Sequence, residues 1–247
     1  MKIPLKLYRP LPATTESLNK AFRAIVSALI LIGLLFTGLA IANVSLTTIK
    51  DNALASYGND TAIMIDQWIK MIVTIRGKPD KEKLIYVNNF FNSRIKWISD
   101  IDNWKEEDYW ATPLETMARK RGDCEDFSIS KYITLVLSGM PDAKLRITYV
   151  KARIDTASGA KNQAHMVLAY YPKANAEPVI LDNIVKEIVR GSLRRDLKPV
   201  FGFNTGVITV GHGTKASNES PTNRLSRWGD ALAKMKSEGV CLPGEAC

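Results

Sequence analysis

The chain has 247 residues, 46% of them apolar and 24% charged, which suits a folded domain with a substantial core and excludes a disordered chain. Two histidines and three cysteines exclude a zinc-finger array and a disulfide-dense secreted scaffold. The net charge of +9 raises nucleic acid as a partner, but no stretch interleaves Lys and Arg with aromatic residues as a nucleic-acid face does, so none is expected.

Much of the positive charge sits at the start of the chain. Lys2, Lys6, Arg9, Lys20 and Arg23 stand against Glu16 alone, and residues 24–42 are uncharged and rich in Ile, Leu, Val and Ala. A basic flank before an apolar core is the pattern of an export signal or an N-terminal anchor. Ala40-Ile41-Ala42 fits a small-x-small cleavage site, and the 19-residue apolar run is also long enough to span a bilayer if uncleaved. Without residues 1–42 the chain carries 29 basic and 24 acidic residues, a net charge of +5. The working domain, residues 43–211, is therefore expected outside the cytoplasm, where disulfides are permitted.

Helical spacing of Ile65, Trp68, Ile69, Ile72 and Val73 predicts a helix over 61–75, stopped by Gly77. A second helix is predicted over 79–98, followed by a polar loop at 99–111. Thr112-Pro113-Leu114-Glu115 reads as a capping box with proline at N1, opening a short helix that Gly122 ends. Another helix starts at Asp123 or Cys124 and runs to Gly139. The period then changes. Residues 145–154, 163–171 and 178–182 read as strands, with shorter ones at 200–203 and 207–210. Residues 211–223 read as a linker, and Leu225, Trp228, Leu232 and Met235 as one C-terminal amphipathic helix, so 212–247 is set apart as a tail with no catalytic part. Helices first and an antiparallel sheet second define an α+β fold.

Cys124 lies just after a glycine at a predicted helix start, where free N–H groups favour a thiolate. A lone cysteine is more often a packed structural residue, but Asp123, Glu125 and Asp126 around it do not suit a core position. Cys241 and Cys247 can pair with each other. His165 opens one strand and Asp182 closes the next. A hairpin centred near residue 174 pairs positions whose numbers sum to about 348 and sets Asp182 beside or opposite His165. A carboxylate there holds an imidazole by its ring N–H, the orienting role in a nucleophile–base–carboxylate set. His212 is the competing base, in or beside the linker. Three anions around Cys124 would raise its pKa, and a bound calcium ion held by Asp123, Glu125 and Asp126, with carbonyls from 110–114, would relieve that. Helix capping and dipole effects alone are the competing account of these acids.

The blocks Tyr109-Trp110-Ala111-Thr112-Pro113-Leu114-Glu115-Thr116, Gly122-Asp123-Cys124-Glu125-Asp126-Phe127, Gln163-Ala164-His165-Met166-Val167-Leu168, Leu181-Asp182-Asn183 and Asp196-Leu197-Lys198-Pro199-Val200, in that order, resemble the transglutaminase-like cysteine peptidases and, more closely, the LapG-type periplasmic proteases. The resemblance implies a papain-like fold, Cys124 as nucleophile, His165 as general base and acid, Asp182 as orienting carboxylate, and a calcium site on Asp123, Glu125 and Asp126. It further implies endoproteolysis of a large surface adhesin near its N-terminus, biofilm release, and sequestration by an inner-membrane receptor for cyclic di-GMP. The same triad would serve a transglutaminase-type acyl transferase, and a relict triad would leave a non-catalytic binding module.

Overall fold

The structure is a computed structural model that describes residues 22–26, 47–156, 159–211 and 220–243, and the chain divides into two units, 1–46 and 47–247. In the first unit residues 22–26 are helical; the expected cleavage site at Ala42 lies outside the described residues. Among the described residues no helix is long and apolar enough to cross a membrane.

The second unit opens with helices α1 (47–57) and α2 (Asn59–Ile75), separated at Gly58, whose φ of 82° breaks the helical path. Of the predicted apolar stripe of α2, Ile65, Trp68 and Ile72 are enclosed, together with Ile75, whereas Ile69 is half-buried and Val73 faces out. Helix α3 (Asp80–Arg94) buries Leu84, Val87 and Phe91. It stops four residues short of the expected end. Ile95 turns extended, and β1 (Lys96–Trp97) pairs in parallel with β2 (Arg121–Gly122). The Lys96 and Ile98 amides donate to the Lys120 and Gly122 carbonyls at 2.9 and 3.0 Å, so tertiary partners replace the helical ones. Ile95 stays buried, which is why the apolar period continued past the true end.

A one-turn helix, α4 (Asp100–Asn103), lies in the expected loop. Helix α5 (Pro113–Arg119) begins with the predicted capping box: Thr112 Oγ1 accepts the Glu115 N–H at 3.1 Å, and Glu115 Oε2 accepts the Thr112 N–H at 3.0 Å. Gly122 does not end it; Lys120 does, in the left-handed conformation with φ 53°. Helix α6 (Cys124–Leu137) then runs through the middle of the unit against α3.

The sheet is antiparallel with strand order β6-β5-β4-β3-β7-β8: β3 (Leu145–Thr156), β4 (Gly159–Tyr170), β5 (Val179–Leu181), β6 (Val189–Arg190), β7 (Leu197–Phe203) and β8 (Ile208–Val210). Strands β3 and β4 form one twelve-pair hairpin, longer than the expected runs. Helices first and an antiparallel sheet second match the expected α+β class.

The C-terminal segment is built into the fold. Helices α7 (Pro221–Arg224) and α8 (Ser226–Ser237) follow the linker. Trp228 is fully buried between Phe203 and Tyr132, with ring centroids 5.5 and 5.8 Å away. Glu238 accepts hydrogen bonds from Tyr57 Oη at 2.7 Å and, through its carbonyl, from Asn52 Nδ2 at 3.1 Å. The sequence boundary after residue 211 therefore cuts through one packed unit, because α8 covers apolar surface that the sheet and α6 leave open. Cys241 is disulfide-bonded; Cys247, its expected partner, and His212 lie outside the described residues.

Candidate active site

Cys124 is the first residue of α6 and is partly exposed, and it is the one free cysteine among the described residues. Its Sγ donates to Glu125 Oε2 at 2.9 Å, and the backbone N–H of Met166 faces the sulfur. The cysteine thus lies beside the residue that follows His165 in β4. Burial, then the charges of Glu125 and Asp123, push the thiol well above its ordinary pKa; the Met166 amide acts in the opposite direction and loses. The helix terminus alone was expected to favour the thiolate. Burial, with the neighbouring acids, overrules it.

His165 and Asp182 are both buried, with Nε2 2.9 Å from Oδ1. Strands β4 and β5 pair as Leu168↔Leu181, Ala169↔Ile180 and Tyr170↔Val179, so partners sum to 349 instead of the expected value near 348. The difference of one decides the outcome, because a one-residue slip would send the two side chains to opposite faces. Continued one step, the register puts Asp182 across from Val167, and His165 is the diagonal neighbour on the same face. Burial alone would raise the Asp182 carboxyl, but the hydrogen bond and charge of His165, the Ile184 amide at 3.0 Å and the Arg194 guanidinium outweigh it and hold it down at about 2. An ionised Oδ1 can only accept, so Nε2 is the donor in this contact and Nδ1 is the nitrogen not engaged by Asp182.

The acids beside the cysteine are joined by two that spacing did not reveal. Asp100, Asp123 and Asp126 bring carboxylate oxygens within 4.8 Å of one another, as do Asp100, Asp108 and Glu125. Asp126 is engaged by backbone: Oδ1 accepts the Ala111 N–H at 2.8 Å and Oδ2 the Asp123 N–H at 3.3 Å. Asp100 Oδ1 and Asp123 Oδ1 are buried with no hydrogen-bond partner. Burial, with the charges of the neighbouring acids, raises Asp123 to about 10 and Asp100 to about 6, and lifts Asp126 well above the carboxylate range. Helix capping explains Asp126 but not the two orphaned oxygens. Oxygen donors of this number and charge suit a hard divalent cation, so the residues fit calcium. Gly122 makes the cluster possible, since a Cβ there would lie 2.7 Å from Asp126 Cβ and Oδ2.

Sequence reasoning missed the groups behind Asp182. Asn92 Nδ2 and Lys131 Nζ donate to its carbonyl at 2.8 and 3.0 Å, and Arg194 Nη2 lies 2.8 Å from its Oδ2. Burial drops the Lys131 amine to about 7 against the opposing pull of Asp182. The motif Asp196-Leu197 hinted at the arginine's surroundings, and the resemblance around Cys124 runs on through Lys131 without giving it a role; nothing in the sequence marked Asn92.

An α+β fold that sets a cysteine at a helix start beside a strand carrying a carboxylate-bound histidine defines a transglutaminase-like cysteine proteinase. The chain belongs to the family described as bacterial transglutaminase-like cysteine proteinases, whose model matches residues 67–193. It is of the LapG type. It is similar to the solved LapG of Legionella pneumophila, with 37% identity, a TM-score of 0.65, and coverage of 77% of this chain and 95% of that one. The calcium-bound and EGTA-treated forms of that protein match at 38% and 36% identity, each with a TM-score of 0.66 and 77% of this chain covered, over 98% and 97% of their own lengths. No curated protein sequence matches significantly.

Proposed function

We propose that the protein is a calcium-dependent cysteine endopeptidase in which Cys124, His165 and Asp182 form the triad. The observation that carries this reading is the buried Nε2–Oδ1 contact at 2.9 Å on the strand whose next residue, Met166, faces the Cys124 sulfur. His165 Nδ1 takes the thiol proton as sulfur attacks the scissile carbonyl carbon. The imidazolium, stabilised by ionised Asp182, then passes that proton to the leaving amine, and a thioester remains on Cys124. Water, deprotonated by the same Nδ1, attacks the thioester, and the proton returns to sulfur as the carboxylate leaves. Asp100, Asp123, Glu125 and Asp126 would hold the calcium ion, which would supply positive charge to offset the anions crowding the thiol. The Legionella relative solved with calcium supports that ion here.

The reading of location, substrate and control is supported by the resemblance to LapG-type proteases and by the N-terminal pattern. The enzyme works in the periplasm or tethered to the inner membrane. It cleaves a large surface adhesin near its N-terminus, releasing the cell from a biofilm. An inner-membrane receptor for cyclic di-GMP sequesters it. The test is cleavage of a purified adhesin N-terminal fragment by the calcium-loaded protein. Wild type should cut it into two products and Cys124→Ala should not, with an unchanged melting curve. Wild-type turnover by Cys124→Ala would end the cysteine mechanism.

A further inference from the structure

Behind the His165–Asp182 pair stands a second, fully formed ion pair. Arg194 is buried, its side chain only 5% exposed. Its Nε and Nη2 grip Asp196 Oδ1 and Oδ2 at 3.0 and 2.7 Å, a two-pronged fork on one carboxylate. The same Nη2 lies 2.8 Å from Asp182 Oδ2. Asp196 is itself pinned, since its carbonyl accepts the Arg153 N–H of β3 at 2.8 Å. The loop that carries Arg194 is tied at both ends: its N–H donates to Gly191 and its carbonyl accepts from Leu197, each at 3.0 Å.

We propose that Arg194, aimed by Asp196, is a positioning residue that fixes the Asp182 carboxylate against His165. The proposal rests on the reading of His165 and Asp182 as base and orienter. Two features separate this role from a scaffold role. The backbone of Asp182 is already anchored by Asn92 and Lys131 through its carbonyl, so Arg194 is not needed to hold the chain there. The guanidinium instead meets the oxygen that the catalytic pair does not use: Oδ1 serves His165 and the Ile184 amide, and Oδ2 faces Arg194. Oδ2 has no hydrogen-bond partner, so the 2.8 Å charge contact with Arg194 is what resists rotation of the carboxylate away from the ring. A buried guanidinium is also a costly way to fill space. Arg194 lines a cavity of about 310 Å³ with Val150, Val167 and Ile180, and its Nη1 has no hydrogen-bond partner there. An apolar side chain would satisfy that cavity better if packing were the whole requirement.

The test reads the imidazole directly. His165 and His212 are the only histidines in the chain, so ¹⁵N imidazole NMR of the full-length calcium-loaded protein, assigned with His212→Ala, resolves the ring of interest. In the wild type His165 should be the Nε2–H tautomer, with a downfield proton protected from exchange. Arg194→Gln should speed that exchange at least tenfold and populate the Nδ1–H tautomer. Asp196→Asn should do the same to a smaller extent, and the double variant should match Arg194→Gln, because Asp196 acts only through the arginine. On the adhesin fragment, kcat should fall at least tenfold with KM nearly unchanged. A folded Arg194→Gln with wild-type tautomer and exchange overturns the proposal. If Arg194→Gln does not fold, Asp196→Asn decides, and an unaltered His165 spectrum in it overturns the proposal. The spectrum needs no turnover. A protein that cuts nothing yet shows the arginine-dependent tautomer would refute the proposed function and keep this inference.

Discussion

At the scale of single residues, two positions decide what the site can do. Asp182 is ionised, buried and bonded to His165 through one oxygen. Asp182→Asn should lower kcat by roughly 10³–10⁴ and leave KM nearly unchanged, since the amide lets the ring take the wrong tautomer. Combined with Cys124→Ala it should cost nothing further, because such groups act as a unit. Steady-state kinetics on the adhesin fragment reads both. The depressed carboxyl also ties stability to pH. Its contribution is complete above the ordinary carboxylate range and is lost as pH falls through about 2. Gly122 is the second residue. Its neighbour at 2.7 Å is the Asp126 Cβ and carboxylate, a buried group fixed by two backbone amides, so there is no slack to absorb a methyl. Gly122→Ala should destabilise the fold by about 1–3 kcal/mol and weaken calcium binding together, read by melting and calorimetry. Unaltered calcium affinity would show that the acids tolerate displacement.

At the scale of elements, the C-terminal helix is where the sequence misled most. Its amphipathic pattern was partly legible: Trp228 and Met235, which the spacing picked out, are buried, but Leu232 is half-buried, Ala231 is buried in its place, and Leu225 lies between two helices instead of within one. Its destination was not legible. Lys234 bonds Glu115, the capping residue of α5, and Tyr109, while Arg227 pairs with Asp108 at 3.2 Å. The helix therefore braces the loop that carries two of the candidate cation ligands' neighbours. Trp228→Ala should cost about 3–5 kcal/mol, and truncation after Gly211 should lower the melting temperature and calcium affinity together. A truncated protein with wild-type melting and calcium binding would restore the tail to the status of a separate appendage.

At the scale of the whole molecule, calcium should govern how stability depends on pH. Asp123 and Asp100 have pKa values raised by burial first and then by the charge of Glu125 and other nearby acids, to about 10 and about 6. A raised carboxyl binds a proton more tightly folded than unfolded, so its stabilising protonation is complete below about pH 4 and is lost as pH rises toward the folded value. The chelated protein should therefore melt at progressively lower temperature from pH 5 to pH 8. Saturating calcium should remove that slope, and at a hundred times its Kd it should add about 2.7 kcal/mol. Magnesium should not substitute, because it demands a tighter octahedral shell. Melting scans across pH with calcium, magnesium or chelator check this. Superimposable curves would leave helix capping as the account of the acids.

What the sequence by itself determined is local. Thr112 and Glu115 three residues apart make a capping box wherever they fold, the i, i+3, i+7 stripe of α2 buries the same face in any core, and alternating β-branched residues predict strands. The pairing of His165 with Asp182 was nearly local too, since a short hairpin joins them, but a one-residue difference in register lay beyond composition. Only the tertiary structure decided the rest. Asp100 joins Asp123 and Asp126 from 23 residues upstream because β1 docks beside β2, a parallel pairing with no short-range signature. Arg194 reaches Asp182 because the connection from edge strand β6 crosses the sheet to β7 on the far side of β3, and the charge that favours the approach is invisible until burial removes water from around it. Short-range backbone preferences act on neighbours in the chain, whereas cation clusters and buried ion pairs depend on distances in space and on local dielectric, and those exist only once the core has formed.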